Sequence, residues 1–420
     1  MTPQTHTQLD PEALWRILDV TRQLSAPIEL NEVLTLVIDA AREVLSADRG
    51  TVFLYDKKTN ELFAKVATGD SEIRFPADKG IAGEAAQSRT TLNIPDCYAD
   101  SRFNQEIDRK TGYKTRCLLT VPLIDVDDEL VGVLQLLNKA GGTFDETDER
   151  LADTLAAQCA VALQRAQLIE SHVEAQRMAR DLSIARDIQQ RVLPNTMPQM
   201  PGYDIAGWSR PAEETGGDIY DIIQPEPDSA IFILCDATGH GIGPALSVTQ
   251  VRSMVRIGTR LNASLDDIFK NVNDQLSDDL AQNRFVTAFF GDLNTTKHTI
   301  TYHAGGQGPM LHLHAADRST SQIEASTIPM GIMSGMPLVP PAPIDMKPGD
   351  IFALISDGIF EQLNDNNEQY SAETTAEFLH NNTHLPMDKL IEALIAEVEQ
   401  FAGSEPQADD MTVFLIKRNA

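Results

Sequence analysis

The spacing of apolar residues divides the chain into three regions. In the first, apolar positions recur every three or four residues from Pro11 to about Ala47, which predicts helices. Four apolar runs of strand length follow, at 51–56, 61–67, 116–125 and 129–139, and the polar stretch DVDDEL between the last two is typical of a hairpin. We therefore expect a mixed α+β domain over residues 11–147, preceded by a flexible tail at residues 1–10.

The second region, residues 148–193, predicts one long helix, because no Gly or Pro interrupts it before Pro194. A heptad spacing joins Leu155, Cys159, Ala162, Ala166, Ile169 and Val173. The phase then breaks, and a shifted apolar stripe resumes at Met178. Two interpretations remain open. The helix either packs on its own domain, or forms a parallel coiled coil that joins two copies of the chain.

The third region, residues 194–420, alternates strands with helices. Apolar runs predict strands at 230–236, 285–293, 299–305, 350–358 and 411–418, and helical spacing predicts helices at 243–261, 264–282, 372–380 and 387–402. This region is long enough for a separate domain with its own core.

Composition narrows the possible partners. The chain has 420 residues, and its 34 basic and 62 acidic side chains give a net charge of −28. Such a charge argues against nucleic acid or an anionic membrane as a main partner, but it fits a protein that binds divalent cations. The four cysteines are scattered, without a CxxC pair, which favours a reducing compartment. With neither a signal-peptide pattern nor an apolar run of about 20 residues, we expect a cytoplasmic protein.

Aspartates recur where the predicted strands of the third region end. Asp236 closes an apolar run and precedes a glycine-rich turn, in ILCDATGHGIGPA. Asp218 lies in GGDIYD, Asp357 follows another apolar run, and Asp409 and Asp410 precede the last strand. Any one of these could simply cap a turn. Carboxylates gathered together repel unless cations lie between them, and oxygen ligands favour Mg²⁺ or Mn²⁺.

The third region resembles the metal-dependent PPM/PP2C protein phosphatases, and in particular their bacterial stress-response and sporulation branch. The motifs that carry the resemblance are PAEETGGDIYD, CDATGHGIGPA, ISDGIFE and DDMTV, in the family's order. The resemblance implies a sandwich of two antiparallel sheets with helices outside. It also implies a two-metal centre that activates a water for hydrolysis of phosphoserine or phosphothreonine. The implied metal ligands are Asp218, Asp236, Asp357, Asp409, Asp410 and the carbonyl of Ala237, with the first four aspartates as the catalytic set.

Four features depart from the family pattern or lack a clear role. HAGGQGPM, at 303–310, lacks the Asn and the His of the corresponding family motif, and many relatives have Asn where this chain has Asp410. The arginine that binds phosphate in the eukaryotic branch has only Arg210 as a weak counterpart. His240, in the glycine-rich turn, is either a general acid or a structural part of that turn.

The first region resembles the cyclic-nucleotide-binding GAF domains. The segment NKAGGTFDETDE contains their signature as Asn138, Lys139, Phe144, Asp148 and Glu149, and the resemblance implies that Lys139 and Asp148 pair as a structural clamp. Pocket positions match at Ile81, Ala82, Asp108, Thr111, Thr115 and Gln135. Another small ligand, or a purely structural domain, remains open. A bilin chromophore is disfavoured, because Tyr98 rather than His follows Cys97.

Together the two resemblances and the heptad spacing imply a signalling phosphatase that binds Mn²⁺ or Mg²⁺ and is regulated by cAMP or cGMP through a dimeric helical linker. The implied partners are a second copy of the chain and a phosphorylated protein, with an anti-sigma-factor antagonist as the family-based candidate. A non-catalytic scaffold that only binds a partner protein is the alternative. A hydrolase of small phosphoesters is a third possibility, although the sequence offers no arginine cluster near the motifs.

Overall fold

The chain forms two compact units, Met1–Arg177 and Met178–Ala420. The computed structural model describes residues 11–24, 26, 29–64, 73–194, 196–281 and 283–419, so the expected tail at residues 1–10 lies outside the described part. Within that part, no helix combines the length and the apolar character needed to cross a membrane.

The first unit contains one antiparallel sheet of six strands, in the order β3-β2-β1-β6-β5-β4. Its elements are α1 (Pro11–Leu24), α2 (Leu30–Leu45), β1 (Ala47–Asp56), β2 (Glu61–Ala64), β3 (Ile73–Pro76), α3 (Gly80–Ser88), β4 (Leu92–Ile94), a 3₁₀ turn (Cys97–Ala99), α4 (Gln105–Thr111), β5 (Leu118–Ile124), β6 (Leu130–Lys139) and α5 (Glu146–Val192). The four predicted strands and the hairpin between β5 and β6 are confirmed.

Both faces of this sheet are covered, because successive residues of a strand point to opposite faces. On β6, Leu134 and Leu136 join the core that α2 and the first part of α5 form on one face. Val133 and Leu137 point to the other face, towards the side chains of α3 and the 3₁₀ turn. Gln135 lies between Val133 and Leu137. Because every second residue of a strand points to the same face, its side chain also lies on the α3 face.

The second unit is a sandwich of two five-stranded antiparallel sheets, in the orders β14-β11-β10-β9-β8 and β13-β12-β15-β16-β7. Its elements are β7 (Tyr203–Arg210), β8 (Asp218–Glu226), β9 (Ser229–Ala237), α6 (Ile242–Arg260), α7 (Leu265–Asp279), β10 (Val286–Asn294), β11 (Thr299–Gly305), β12 (Met310–Leu313), β13 (Thr320–Ile323), β14 (Ile344–Asp345), β15 (Ile351–Ile355), α8 (Asp357–Phe360), α9 (Ala372–Asn381), α10 (Met387–Ala402) and β16 (Met411–Arg418). The predicted sandwich and the nine predicted elements are confirmed.

Strand β9 has an almost continuous apolar sequence because both of its faces are buried. Phe232 and Leu234 point into the core between the two sheets, whereas Ile233 and Cys235 point towards α6 and α7. The ring of Phe232 stacks on that of Phe414 from the other sheet, with centroids 5.5 Å apart. The outer face of the second sheet packs against α9 and α10 in the same way.

The prediction of one continuous dimer seam along α5 is wrong for the first part of the helix. Leu155, Cys159, Ala162 and Ala166 are buried in the core of the first unit, so they cannot face a second copy of the chain. In the second unit, Val192 instead packs against the core beneath α6 and α7. The phase break therefore separates the part of α5 that packs on the first unit from the part that packs on the second. The large apolar side chains that remain exposed on α5 after Ala166 are Leu168, Ile169, Val173, Met178, Ile184 and Ile188.

Candidate functional site

Two aspartates of the first sheet of the sandwich lie directly opposite each other. Strand β8 begins at Asp218 and β9 runs antiparallel to it, so the register pairs Asp218 with Asp236 at one end of the sheet. Asp218 is buried, with 5% of its surface exposed. Its Oδ2 has no hydrogen-bond partner among the described residues. An unpaired buried carboxylate oxygen is costly, which makes this position a candidate for a bound cation.

The second sheet brings three more aspartates to the same end. Strand β15 ends just before Asp357, and its antiparallel neighbour β16 begins just after Asp409 and Asp410. Ser356 Oγ holds the two strand ends together, since it donates to the Asp410 carbonyl at 3.0 Å and accepts from Thr412 N at 2.8 Å. Asp357 and Asp409 reach solvent, so the cluster of five aspartates is open on their side.

Burial and mutual repulsion make ionisation of this cluster unfavourable. Burial is the main cause that raises the pKa of Asp236 to about 7, and the charges of Asp357, Asp409 and Asp410 add to it. The pKa of Asp218 lies well above its ordinary value, first because of burial and then because of Asp236. The pKa of Asp357 is raised by desolvation and by Asp409. Bound divalent cations would reverse these shifts by neutralising the charges.

Two glycines let backbone oxygens approach the aspartate cluster closely. A Cβ at position 217 would lie 2.7 Å from the carbonyl oxygen of Ala237 and 3.2 Å from Asp236 Oδ1. A Cβ at position 358 would lie 2.1 Å from the carbonyl oxygen of Asp410. The donor set therefore consists of carboxylates and one nearby carbonyl, all hard oxygen donors, and it fits Mg²⁺ or Mn²⁺.

The side chain of Asp410 binds the backbone before β8, which the sequence did not indicate. Its Oδ1 accepts a hydrogen bond from Ala212 N at 2.7 Å, and its Oδ2 accepts one from Asp218 N at 3.1 Å. These bonds hold the loop that leads into β8. Since both oxygens already serve the backbone, we propose that Asp410 positions Asp218 and that the other four aspartates are the main ligands.

The arginine nearest to the glycine-rich turn was missed at the sequence level. A Cβ on Gly243, in the first turn of α6, would lie 2.5 Å from Arg284 Nη1. Thr238 N donates to the Phe285 carbonyl at 3.1 Å, which holds the Arg284 segment beside the end of β9. Among the described residues, Arg284 has no ion-pair partner within 4.0 Å. The sequence signal that could have identified Arg284 was its position directly before β10, a strand that pairs with β9.

The sequence offered Arg210 for contact with phosphate and His240 as a general acid, and both have other partners. Arg210 donates to Gln407 Oε1 at 2.8 Å and to Glu399 Oε1 at 2.5 Å, so its guanidinium is already engaged. His240 is highly exposed, and its Nδ1 lies 3.6 Å from Glu213 Oε2. Arg284 is therefore the better placed cation for a substrate phosphate.

The long helix contacts the loop that leads to Asp218. Gln189 of α5 donates through Nε2 to the Gly216 carbonyl at 2.6 Å and accepts from Gly216 N at 3.1 Å. Arg186, one turn earlier, lies 3.2 Å from a carboxylate oxygen of Glu214. A movement of this part of α5 would thus pull on the backbone two residues before Asp218.

In the first unit, Asp108 and Thr115 bind each other. Asp108 accepts from Thr115 N at 2.7 Å and from Thr115 Oγ1 at 2.8 Å, while the Tyr98 hydroxyl donates to it at 3.0 Å. Both residues are buried. They connect α4 to the segment that enters β5, so their direct role is to shape this side of the domain.

The remaining GAF signature residues bind or pack against neighbouring parts of their own domain. Lys139 Nζ donates to Asp148, which also accepts from Asp145 N at 2.8 Å. Asn138 is buried and binds the preceding turn through Arg116 N at 2.6 Å and the Lys114 carbonyl at 2.9 Å. Phe144 lies in the core on the α5 face of the sheet, away from α3.

Three of the predicted pocket positions belong to the α3 face of the sheet. Ile81 and Ala82 are buried in α3. Gln135 Nε2 donates to Thr120 Oγ1 at 3.2 Å on the same face. The side chain of Thr111 lies outside the described part of the chain. The structure thus gathers apolar groups and one amide on this face.

Two family models match separate parts of the chain. Residues 226–419 match the family model described as stage II sporulation protein E, and residues 29–163 match the GAF domain model. The SiaA-PP2C domain of Pseudomonas aeruginosa aligns with a TM-score of 0.51 at 18% identity, over 59% of this chain and 98% of that chain. This likeness supports the fold of the second unit.

Curated relatives match a smaller part of the chain. A probable 3′,5′-cyclic phosphodiesterase of Caenorhabditis elegans is 36% identical over 169 residues, which cover 37% of this chain and 23% of the relative. A dual 3′,5′-cyclic-AMP and -GMP phosphodiesterase of Drosophila melanogaster is 33% identical over 201 residues, which cover 43% of this chain and 14% of the relative. The chain therefore spans less than a quarter of these relatives' length.

Replacing Asp236 by Asn is expected to stabilise the metal-free protein, because it removes one negative charge from the aspartate cluster. The rise of the Asp236 pKa from 3.8 to about 7 corresponds to at most roughly 4 kcal/mol at about 1.4 kcal/mol per pKa unit, and we expect about half of it because solvent reaches the cluster and screens the charges. Thermal unfolding in EDTA measures the effect, and added Mn²⁺ should raise the Tm of the wild type far more than that of the variant.

Asp345→Asn, an exposed aspartate on β14, is the matched control and should behave as wild type. Equal Tm values for wild type and Asp236→Asn, both in EDTA and in Mn²⁺, would contradict the assignment of a cation site here.

Proposed function

We propose that this chain, which carries a GAF domain and a phosphatase domain of the stage II sporulation protein E type, is a metal-dependent signalling phosphatase that removes phosphate from serine or threonine of a partner protein. The observation that carries the proposal is the aspartate cluster itself, with its unpaired Asp218 oxygen and its raised pKa values. A domain that only bound a partner would gain nothing from this costly arrangement.

Each residue of the aspartate cluster has a role that follows from its position. Asp218, Asp236, Asp357 and Asp409 hold the metal ions, with the Ala237 carbonyl as a further ligand, and Asp410 fixes the start of β8. When bound, two Mn²⁺ or Mg²⁺ ions supply an acidified water for in-line attack on phosphorus. The open side at Asp357 and Asp409 admits a phosphorylated side chain of a protein.

Arg284 and the start of α6 bind the phosphate oxygens. Helix α6 begins after Gly241, which has no side chain to cap the first N–H groups. Free N–H groups and the helix dipole attract an anion at this end. The guanidinium of Arg284 lies against the same turn and adds a full positive charge.

The GAF domain binds a cyclic nucleotide, cAMP or cGMP, on the α3 face of its sheet. The support is the signature segment at Asn138–Asp148, together with relatives that are named for cyclic nucleotides. Asp108 and Thr115 shape the pocket wall through their mutual hydrogen bonds. The phosphate of the ligand is bound by backbone N–H groups, since Asp108 is acidic.

Helix α5 carries the signal, and two copies of the chain associate through its exposed apolar stripe. Ile169, Val173, Ile184 and Ile188 recur at intervals of 4, 11 and 4 residues, so they lie along one side of a straight helix. Rotation or splaying of the paired helices moves Gln189, which is bonded to Gly216 just before Asp218. The partner substrate is a phosphorylated protein, with an anti-sigma-factor antagonist as the first candidate, and the setting is the cytoplasm.

Arg284→Ala is expected to lower kcat/KM for a phosphoprotein by roughly 10–100-fold, mainly through KM, because a charge-assisted hydrogen bond contributes about 1.5–3 kcal/mol. Steady-state phosphate release in Mn²⁺ measures it. Arg210→Ala is the matched control and should leave KM unchanged, since Arg210 binds Glu399 and Gln407. A larger KM effect at Arg210 than at Arg284 would overturn the assignment.

Calorimetry with cAMP and cGMP is expected to show binding of at least one of them to the full chain. Thr115→Ala should weaken that binding by about 1 kcal/mol, because Asp108 loses a hydrogen-bond donor and the pocket wall loosens. Thr154→Ala, at an exposed position on α5, is the control. Neither heat nor a thermal shift at millimolar nucleotide would reject a cyclic-nucleotide sensor.

Light scattering is expected to give a dimer for the wild type and a monomer for the double variant Ile184→Glu and Ile188→Glu, with an unchanged far-UV circular dichroism spectrum, because both side chains are exposed and the fold of the single chain does not need them. Gln190→Glu, also exposed, should stay dimeric. Ala162→Glu should instead lower the Tm of the first unit, since Ala162 is buried in its core. A wild-type monomer at tens of micromolar would exclude this dimer.

A further inference from the structure

Two histidines and an aspartate converge at the other end of the sandwich from the aspartate cluster. His312 lies on β12, His314 follows that strand, and Asp350 directly precedes β15. The register pairs Leu313 with Ile351, so the next pair along the two strands is His314 and Asp350. Strand β15 runs from this end towards Asp357, which places the two sets of side chains at opposite ends of the sheet.

The side chains of these three residues come close enough to share one ion. His312 Nε2 lies 3.2 Å from Asp350 Oδ2, and His314 Nδ1 lies 3.9 Å from the same oxygen. One ligand atom from each of these three residues lies within 4.8 Å of the other two. Among the described residues, this is the group of His, Cys, Asp or Glu side chains that meets this distance limit. Ligands of a tetrahedral zinc ion, at about 2.0–2.1 Å from the metal, are separated by about 3.3 Å.

Other groups orient these ligand atoms. Asp350 Oδ1 accepts from Ala315 N at 2.9 Å, and its Oδ2 accepts from Lys347 N at 3.0 Å. His314 Nε2 lies 2.8 Å from Ser321 Oγ on β13. A proton on Nε2 that is donated to Ser321 leaves the lone pair on Nδ1, the atom that faces Asp350. Outer partners of this kind commonly fix the tautomer and the direction of a metal-bound histidine.

We infer that His312, His314 and Asp350 form a binding site for a zinc-like transition-metal ion, separate from the aspartate cluster. Two imidazoles and one carboxylate prefer Zn²⁺ over Mg²⁺, whereas the all-oxygen aspartate cluster has the opposite preference. His312 and Asp350 are buried, and His314 is partly exposed, so the remaining coordination position faces solvent and takes water.

The bound ion would join three separate segments of the chain. It would fasten the end of β12 to the turn before β15, and through Ser321 it would also hold β13, which is an edge strand of the second sheet. We therefore expect the ion to stabilise this end of the phosphatase domain and to take no part in hydrolysis. This inference stands on its own ligands and does not depend on the proposed activity.

The test is titration of the full-length protein with ZnCl₂, followed by calorimetry and by thermal unfolding. The titration uses the Asp236→Asn variant with Mg²⁺ in excess, because both conditions limit binding of zinc at the aspartate cluster. We expect one zinc per chain at micromolar concentration and a raised Tm. His314→Ala should weaken binding by more than the roughly 10–100-fold that loss of an outer partner costs.

Two further variants and a control make the outcome decisive. Ser321→Ala should weaken zinc binding by about tenfold, and Ser321→Thr should restore it, because only the hydroxyl is required. His172→Ala removes an exposed histidine of α5 and should change nothing. Substitution of Co²⁺ should give the visible absorption of a nitrogen-ligated ion in the parent and not in His314→Ala. No zinc binding, or full binding by a folded His314→Ala protein, would overturn the inference.

Discussion

Repulsion among gathered carboxylates is the constraint on which the rest of the phosphatase domain depends. Asp218 and Asp236 face each other across neighbouring strands, and the second sheet adds Asp357 and Asp409 to the same end. Such a group stays ionised only with cations between its members. The surrounding features serve this arrangement. Glycines at 217 and 358 allow close approach of backbone oxygens, and Asp410 binds the backbone that carries Asp218.

The connection between the helix and this cluster is short and direct. Gln189 bonds to both backbone polar groups of Gly216, so two hydrogen bonds attach this part of α5 to the loop before Asp218. The first part of α5 is buried in the GAF core and its last part packs on the phosphatase core. One continuous helix therefore belongs to both units, which is a physical basis for transmitting a change from one domain to the other.

The sequence predicted those parts of the fold that local patterns determine. Strands β9, β10, β15 and β16 were recognisable because burial on both faces requires continuous apolar runs, and aspartates stood out at the ends of β9, β15 and β16. Strand β8 was missed, because its start is the glycine-rich segment that holds Asp218. The heptad spacing of α5 left two interpretations open, since a seam against its own domain and a seam against a second copy have the same pattern, and the structure supports the first for Leu155–Ala166. Gln189 and the pair His314 and Asp350 depend on contacts between distant segments, which no local pattern reveals, whereas Arg284 was overlooked although it directly precedes a predicted strand.

The central claim is that the aspartate cluster is a metal-dependent catalytic centre. The most direct test follows phosphate release from a phosphoserine protein by the full-length chain, first in EDTA and then after addition of Mn²⁺, with folded Asp357→Asn protein alongside. The account predicts turnover by the wild type only after Mn²⁺ is added, and at most a small residual rate for the variant. Equal turnover in EDTA, or near-normal turnover by the Asp357→Asn protein in Mn²⁺, would contradict it.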